Sequence, residues 1–365
     1  MPSREVWTVA HLLQWTTEHL KRHGADTPRL DAEVLLAAAL GCQRIDLYTA
    51  FGSVPAEEAR AAFREMVRRR AAGTPVAYLV GYREFYSLNF RVTPDVLIPR
   101  PETEFLLIAL LDLAKTVSQA GTEGPETPEG EADICGTQLV QAGDCQVSPL
   151  LPAEKENLSR PPCAPADAEV SSGFSVPATG GAVPGKGPGP GVRRPLAICD
   201  VGTGSGVLAV CAAKHLPSAR VTAVDISPAA LAVARSNAAA HGVLERIEFF
   251  ESNLLASVPH GRQFDFILAN LPYVTEAEFA ALSPTVKEHE PRQALLAGPR
   301  GTELIEALLP QAAERLHAGG YLLMEISPGL HEAVQALLAA NGQFKPGSTV
   351  KDLSRHPRVV QAQKK

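Results

Sequence analysis

From Leu196 onward, apolar positions follow two alternating rhythms. Leu196–Val201, Arg220–Asp225, Arg246–Phe250, Phe264–Ala269 and Gly320–Ile326 are short, largely apolar runs that read as buried strands. Between and after them, Gly206–Leu216, Pro228–His241, Thr302–His317 and Leu330–Ala340 carry apolar residues at helical spacing. Two further β segments are expected near Lys345–Val350 and Arg358–Gln363. This alternation predicts an α/β fold, a Rossmann-like doubly wound sheet with helices on both faces. On such sheets, ligands bind beyond the carboxyl ends of the strands.

The preceding sequence differs. Residues 1–75 read as a helical domain, with Val9, Leu12, Leu13 and Leu20 at helical spacing, an Ala/Leu-rich stretch over Asp31–Leu40 and a third helix after Pro55. Arg68-Arg69-Arg70 closes that helix and reads as a solvated end favoured by the helix dipole. Residues 76–117 form a connecting unit. Its aromatic and β-branched residues over 76–98 suggest a β-hairpin, and Pro99–Glu104 opens a linker helix through Leu113, with Pro101 suited to its first position. Residues 118–194, crowded with Pro, Gly, Ser and Glu, read as a disordered insert that cannot bury enough apolar surface to offset chain entropy. The catalytic domain is expected over 195–365.

Composition adds limits. The 365 residues are 45% hydrophobic and 20% charged with net charge −6, ordinary for a soluble enzyme and without a global basic field to recruit nucleic acid. The six cysteines show no C-x-x-C spacing, so neither a zinc site nor a redox motif is supported, and no metal is expected. Cys199 and Cys211 lie in apolar segments and read as small buried hydrophobes. The first residues lack the apolar core of a secretory signal, and no apolar run approaches the roughly 20 residues that span a bilayer. A cytoplasmic location is expected.

The candidate chemistry falls at the strand ends. Gly202-Thr203-Gly204-Ser205-Gly206 follows the first strand, and glycines there let the backbone turn sharply and approach a ligand. Asp225, at the tip of the second strand, can accept hydrogen bonds from ribose hydroxyls, while Ser227 can cap the next helix. Asn253 and Leu254 follow the third strand, where they could hold and cover an adenine ring. Asn270-Leu271-Pro272-Tyr273 follows the fourth. A carboxamide nitrogen is a poor nucleophile, so a catalyst that methylates it needs two acceptors to hold both N–H groups and aim the lone pair. The Asn270 side-chain oxygen and the Leu271 carbonyl can supply them, Pro272 fixes the backbone, and Tyr273 offers a flat face for stacking. Together these features point to methylation of a planar nitrogen from S-adenosylmethionine.

The motifs then become specific. Gly73–Gly81 with Glu84-Phe85, Val96–Glu104, the glycine turn, Ala223–Ser227 and Glu290–Leu295 resemble the protein-(glutamine-N5) methyltransferase family that modifies peptide-chain release factors. The resemblance covers nearly the whole chain outside 118–194. It implies the class I S-adenosylmethionine-dependent methyltransferase sheet. The cofactor would be held by Gly202, Thr203, Gly204, Ser205, Gly206, Asp225, Asn253, Leu254 and Asn270. The implied substrate is the glutamine of the Gly-Gly-Gln motif in a class-1 release factor, held by Asn270 through Tyr273, with the N-terminal helices helping to hold the factor. No direct nucleic-acid or membrane partner is implied. Leu271, Asn253 and Ser327 stand where the family usually has Pro, an acid and Gly.

Three alternatives remain open at this point. A related enzyme methylates a glutamine of a ribosomal protein, the rRNA adenine dimethyltransferases carry a similar Asn-Leu-Pro-Tyr loop, and a relic could bind cofactor without turnover.

Overall fold

The computed structural model describes residues 6–120 and 194–365. In the N-terminal part, α1 (Val9–Arg22), α2 (Pro28–Leu40), α3 (Arg44–Thr49) and α4 (Glu57–Ala71) enclose a core of their own. Val9, Leu13, Leu20, Leu35, Leu36, Leu47 and Phe63 are its buried centre. Thr8 caps α1 by accepting the His11 N–H, and Gly41 ends α2 at φ 66°, a conformation that favours glycine. Of the arginine run, Arg68 and Arg69 are exposed as expected and Arg70 is not. Arg70 turns inward and donates to Asp31 of α2 at 2.8 Å, with side chains 12% and 7% exposed. A polar side chain on the apolar face of α2 thereby gains a charged partner, and α4 is tied to α2.

A short helix α5 (Val76–Val80) comes next, ended by Gly81 at φ 80°. The hairpin is therefore shorter than expected: β1 (Tyr82–Phe85) and β2 (Leu88–Arg91) pair antiparallel. Helix α6 (Thr103–Ala120) begins two residues after Pro101 and runs seven past Leu113. Its last three residues carry into the stretch expected to be disordered, at whose far end Arg194 donates to Asp265 Oδ2 at 2.9 Å; residues 121–193 lie outside the described residues.

The rest alternates as the pattern predicts: β3 (Ala197–Val201), α7 (Val207–His215), β4 (Arg220–Asp225), α8 (Pro228–Ala240), β5 (Ile247–Glu251) and β6 (Phe264–Ala269). Then come two six-residue helices not foreseen, α9 (Glu276–Ala281) and α10 (Pro284–His289). The chain closes with α11 (Glu303–Arg315), β7 (Leu316–Glu325), α12 (His331–Asn341), β8 (Phe344–Lys351) and β9 (Pro357–Lys364).

The seven strands lie in the order β5-β4-β3-β6-β7-β9-β8. The first five are mutually parallel, and β9 is antiparallel to both its neighbours. Every position of β6 is buried, because both faces of the sheet are covered. On one side, Phe266 and Leu268 pack with α6, α7 and the hairpin residues Phe85 and Phe90. On the other, Ile267 and Ala269 pack with α11 and α12. Phe264 joins that second layer despite its even spacing from Phe266, since the register against β7 shifts between the two. Cys199 and Cys211 are both buried, and burial pushes the Cys211 thiol up to about 12. Among the described residues, no helix is long and apolar enough to cross a membrane.

Candidate active site

The chain builds outward through β3, β4 and β5, then returns to place β6 on the other side of β3. This reversal is where an open α/β sheet leaves a crevice at its carboxyl edge. A cavity of about 290 Å³ lies there. It is lined by Gly202, Thr203, Gly204 and Ser205 after β3, Asp225 at the tip of β4, Asn253 and Leu254 after β5, and Asn270, Leu271 and Pro272 after β6.

The glycine turn is fastened to β4. Gly202 and Thr203 both donate their N–H to the Val224 carbonyl at 2.9 Å. Asp225 closes the same contact, its Oδ2 accepting the Gly204 N–H at 2.8 Å and its Oδ1 the Ser227 N–H at 2.9 Å. Ser227 caps α8 through the Ala230 N–H. Asp225 is therefore held at the cavity edge with lone pairs to spare for hydroxyl donors. Gly206 has a different task. A Cβ there would stand 3.0 Å from the Ala234 Cβ and 3.1 Å from its Cα. Its backbone sits at φ 83°, so it lets α7 start hard against α8 and does not line the cavity.

Beneath the turn, Asp200 is 1% exposed and accepts the Thr203 hydroxyl at 2.7 Å and the Ala209 N–H at 3.1 Å. Burial pushes its carboxyl up to about 6 in spite of those bonds. Asn237 of α8 stitches the turn to the hairpin, its Nδ2 donating to the Ser205 and Arg91 carbonyls and its Oδ1 accepting the Arg91 N–H. After β5, Asn253 is exposed, and Leu254 is buried at φ 52°. A leucine in the left-handed region is strained, and its side chain belongs to the core layer beside Leu271.

The half-buried Asn270 donates its Nδ2–H to the Thr103 hydroxyl at 3.1 Å. Its Oδ1 and the Leu271 carbonyl accept no hydrogen bond among the described residues. The Leu271 side chain packs down onto the turn, 6% exposed, its Cδ2 3.4 Å from where a Gly202 Cβ would be. Tyr273 does not line the cavity. Burial, helped by the charge of Glu325, pushes its phenol up to about 12. Glu325, at the end of β7, is 4% exposed, and burial pushes its carboxyl up to about 7 with the Thr103 hydroxyl acting against that shift.

A second wall comes from two distant segments. Pro99, Arg100 and Thr103 line the cavity from one side, Pro291, Gln293 and Ala294 from the other. Glu290 joins them: Arg100 donates to its Oε1 at 2.6 Å and the Ile98 N–H to its Oε2 at 3.2 Å.

Comparison with known proteins agrees with this architecture. The PrmC N-terminal domain family matches residues 11–81 and the Methyltransferase small domain family residues 193–288. The release factor glutamine methyltransferase of Rhodopirellula baltica is 39% identical over 98% of this chain and 97% of its own. The chain belongs to the release factor glutamine methyltransferase family. Proteins of the same name from Koribacter versatilis (34% identical, 98% of this chain and 99% of that one) and Geobacter sulfurreducens (33%, 98% and 96%) match over the same extent.

For a member of the release factor glutamine methyltransferase family, reasoning from the sequence overlooked several residues of this site: Arg100, Thr103, Asp200, Asn237, Glu290 and Glu325. Arg100, Thr103 and Glu290 lie in motifs that carried the resemblance, and polar residues inside a motif that lies off the sheet are the signal that could have raised them. Asn237, within an Ala-rich helix, gave no signal of its own.

Proposed function

We propose that this protein transfers a methyl group from S-adenosylmethionine to the side-chain amide nitrogen of the glutamine in the Gly-Gly-Gln motif of a class-1 release factor. The observation that carries the reading is a pair of acceptors, Asn270 Oδ1 and the Leu271 carbonyl, that take no hydrogen bond among the described residues and belong to residues lining the cavity at the sheet's switch point. The N-terminal helical unit over 1–75 would hold the release factor, and 195–365 would carry out the chemistry.

The cavity suits the cofactor. Asp225 presents a fixed carboxylate to ribose hydroxyls, and Gly202 and Gly204 leave room for close approach. Asn253 and Leu254 would hold the adenine, one with a carboxamide and the other with an apolar face. Thr203 and Ser205 shape the turn, and Gly206 supports it from behind. The cofactor supplies a methyl group made electrophilic by its sulfonium centre.

This chain's own residues do the rest. Asn270 Oδ1 and the Leu271 carbonyl each take one N–H of the substrate carboxamide, which orients the nitrogen lone pair toward the methyl carbon and stabilises the positive charge the nitrogen gains on alkylation. No strong base is required before transfer, since the nitrogen loses its proton once it has been alkylated. Pro272 keeps the two acceptors aligned. Tyr273 lies off the cavity lining, and its ring would have to turn toward the substrate plane to stack on it. The net charge of −6, which gives no global basic field, supports a protein rather than a nucleic-acid substrate, one this protein would meet in the cytoplasm.

Incubation with labelled S-adenosylmethionine and a release factor tests this. Label should enter the release factor and vanish when its Gly-Gly-Gln glutamine is replaced by alanine, and Asn270→Ala should abolish transfer while weakening cofactor binding much less. Label entering only a ribosomal protein or rRNA would overturn the proposal.

A further inference from the structure

The Asn270 carboxamide can face two ways, and the two are nearly isosteric. With Oδ1 toward the substrate it offers an acceptor; flipped, it offers an NH2 to another NH2, which repels. Something must choose. The Nδ2–H donates to the Thr103 hydroxyl at 3.1 Å. Thr103 is 3% exposed and sits at the first turn of α6, where its N–H is bonded to the Arg100 carbonyl at 3.1 Å. Arg100 is in turn held by Glu290 at 2.6 Å. The hydroxyl is thus fixed in space by a chain of contacts outside the sheet. The Thr103 oxygen takes the Nδ2–H, so it is the NH2 end of the carboxamide that faces α6. In that orientation Oδ1, which accepts no hydrogen bond among the described residues, is left for the substrate.

We propose that Thr103 is a positioning residue for methyl transfer, its hydroxyl setting the orientation of the Asn270 carboxamide so that Oδ1 faces the substrate amide. This rests on the role proposed for Asn270. Thr103 need not touch substrate or cofactor; it acts through Asn270.

The experiment compares Thr103→Val, Thr103→Ser and Asn270→Ala in steady-state methylation of a release factor, with cofactor affinity by calorimetry and melting temperature measured in parallel. Valine keeps the shape and removes the hydroxyl. Loss of one orienting hydrogen bond should lower kcat roughly tenfold. KM for the release factor and cofactor affinity should stay within about twofold, since the cofactor wall keeps its contacts. Thr103→Ser should return kcat to within about threefold of wild type by restoring the acceptor. If the valine variant does not fold, Thr103→Ser against Thr103→Ala carries the same comparison. Parallel loss of kcat, cofactor affinity and melting temperature, or a folded serine variant as slow as valine, would overturn the proposal by marking Thr103 as structural. An inactive Asn270→Ala beside a Thr103→Val as fast as wild type would overturn the Thr103 role alone. A fully active Asn270→Ala would overturn the Asn270 role, and this one with it.

Discussion

The Arg100–Glu290 pair offers a quantitative test of how the second wall is held. The Glu290 side chain is 1% exposed and that of Arg100 is 35% exposed. Thr103, three residues beyond Arg100, depends on this contact for its position. Replacing Arg100 by Met keeps most of the stem and strands a buried carboxylate with the Ile98 N–H as its remaining partner. Breaking a fully buried pair costs about 3–5 kcal/mol. Water reaching the exposed third of Arg100 softens this, so Arg100→Met should cost about 2–3 kcal/mol. Glu290→Gln removes the charge but keeps an acceptor, and should cost about 1 kcal/mol. The informative variant is the double one. Because the penalty in Arg100→Met is an uncompensated charge, adding Glu290→Gln should recover part of the loss, giving a coupling of roughly 1–3 kcal/mol. Equilibrium urea unfolding of the three variants supplies the numbers. A double variant less stable than Arg100→Met by the full Glu290→Gln cost would refute the reasoning, because additivity would mean the charge is not buried against its partner.

Three further outcomes are expected. Gly206→Ala forces a Cβ to within 3.0 Å of Ala234 at φ 83° and should lower stability by about 1–3 kcal/mol in thermal melts; an unchanged melt would remove the close packing of α7 on α8. Asp225→Ala loses the carboxylate that fixes Gly204 and should weaken S-adenosylmethionine binding at least about tenfold by calorimetry, against the account if affinity is unchanged. Glu325, pushed up to about 7 by burial, binds its proton more tightly folded than unfolded, so the stability it contributes is complete below its ordinary value of 4.5 and is lost as pH rises through about 7. Glu325→Gln should therefore gain on wild type between pH 5 and pH 8, by on the order of 3 kcal/mol, and a pH-independent difference in melting would contradict the burial of that charge.

Much of this was readable from the residues because strands covered on both faces announce themselves. Phe264–Ala269 is apolar apart from Asp265, and the alternation of strands and helices around it leaves few topologies open. The ligand-facing turns follow, since each sits where a strand ends. Local pattern failed where the determining contact is remote. Arg70 looks like a solvated helix end until Asp31, 39 residues away, is brought beside it. Thr103 and Asn270 are 167 residues apart, and Ile98 and Glu290 are 192 apart. Helices α9 and α10, six residues each, are too short for apolar periodicity to register, although the Thr275–Glu278 capping box marks the first. Gly206 was grouped with the glycines that approach a ligand because spacing alone does not separate them from a glycine needed for helix packing. Leu271 shows the reverse case: it departs from the family's usual proline, yet its side chain is buried against Gly202 and its carbonyl accepts no hydrogen bond among the described residues.

The central claim is that two neutral oxygens grip the substrate's NH2. A crystal structure with S-adenosylhomocysteine and a Gly-Gly-Gln peptide measures this directly. Asn270 Oδ1 and the Leu271 carbonyl should each lie about 2.7–3.2 Å from the glutamine side-chain nitrogen, with that nitrogen directed at the sulfur. A bound glutamine whose nitrogen contacts neither oxygen would contradict the account.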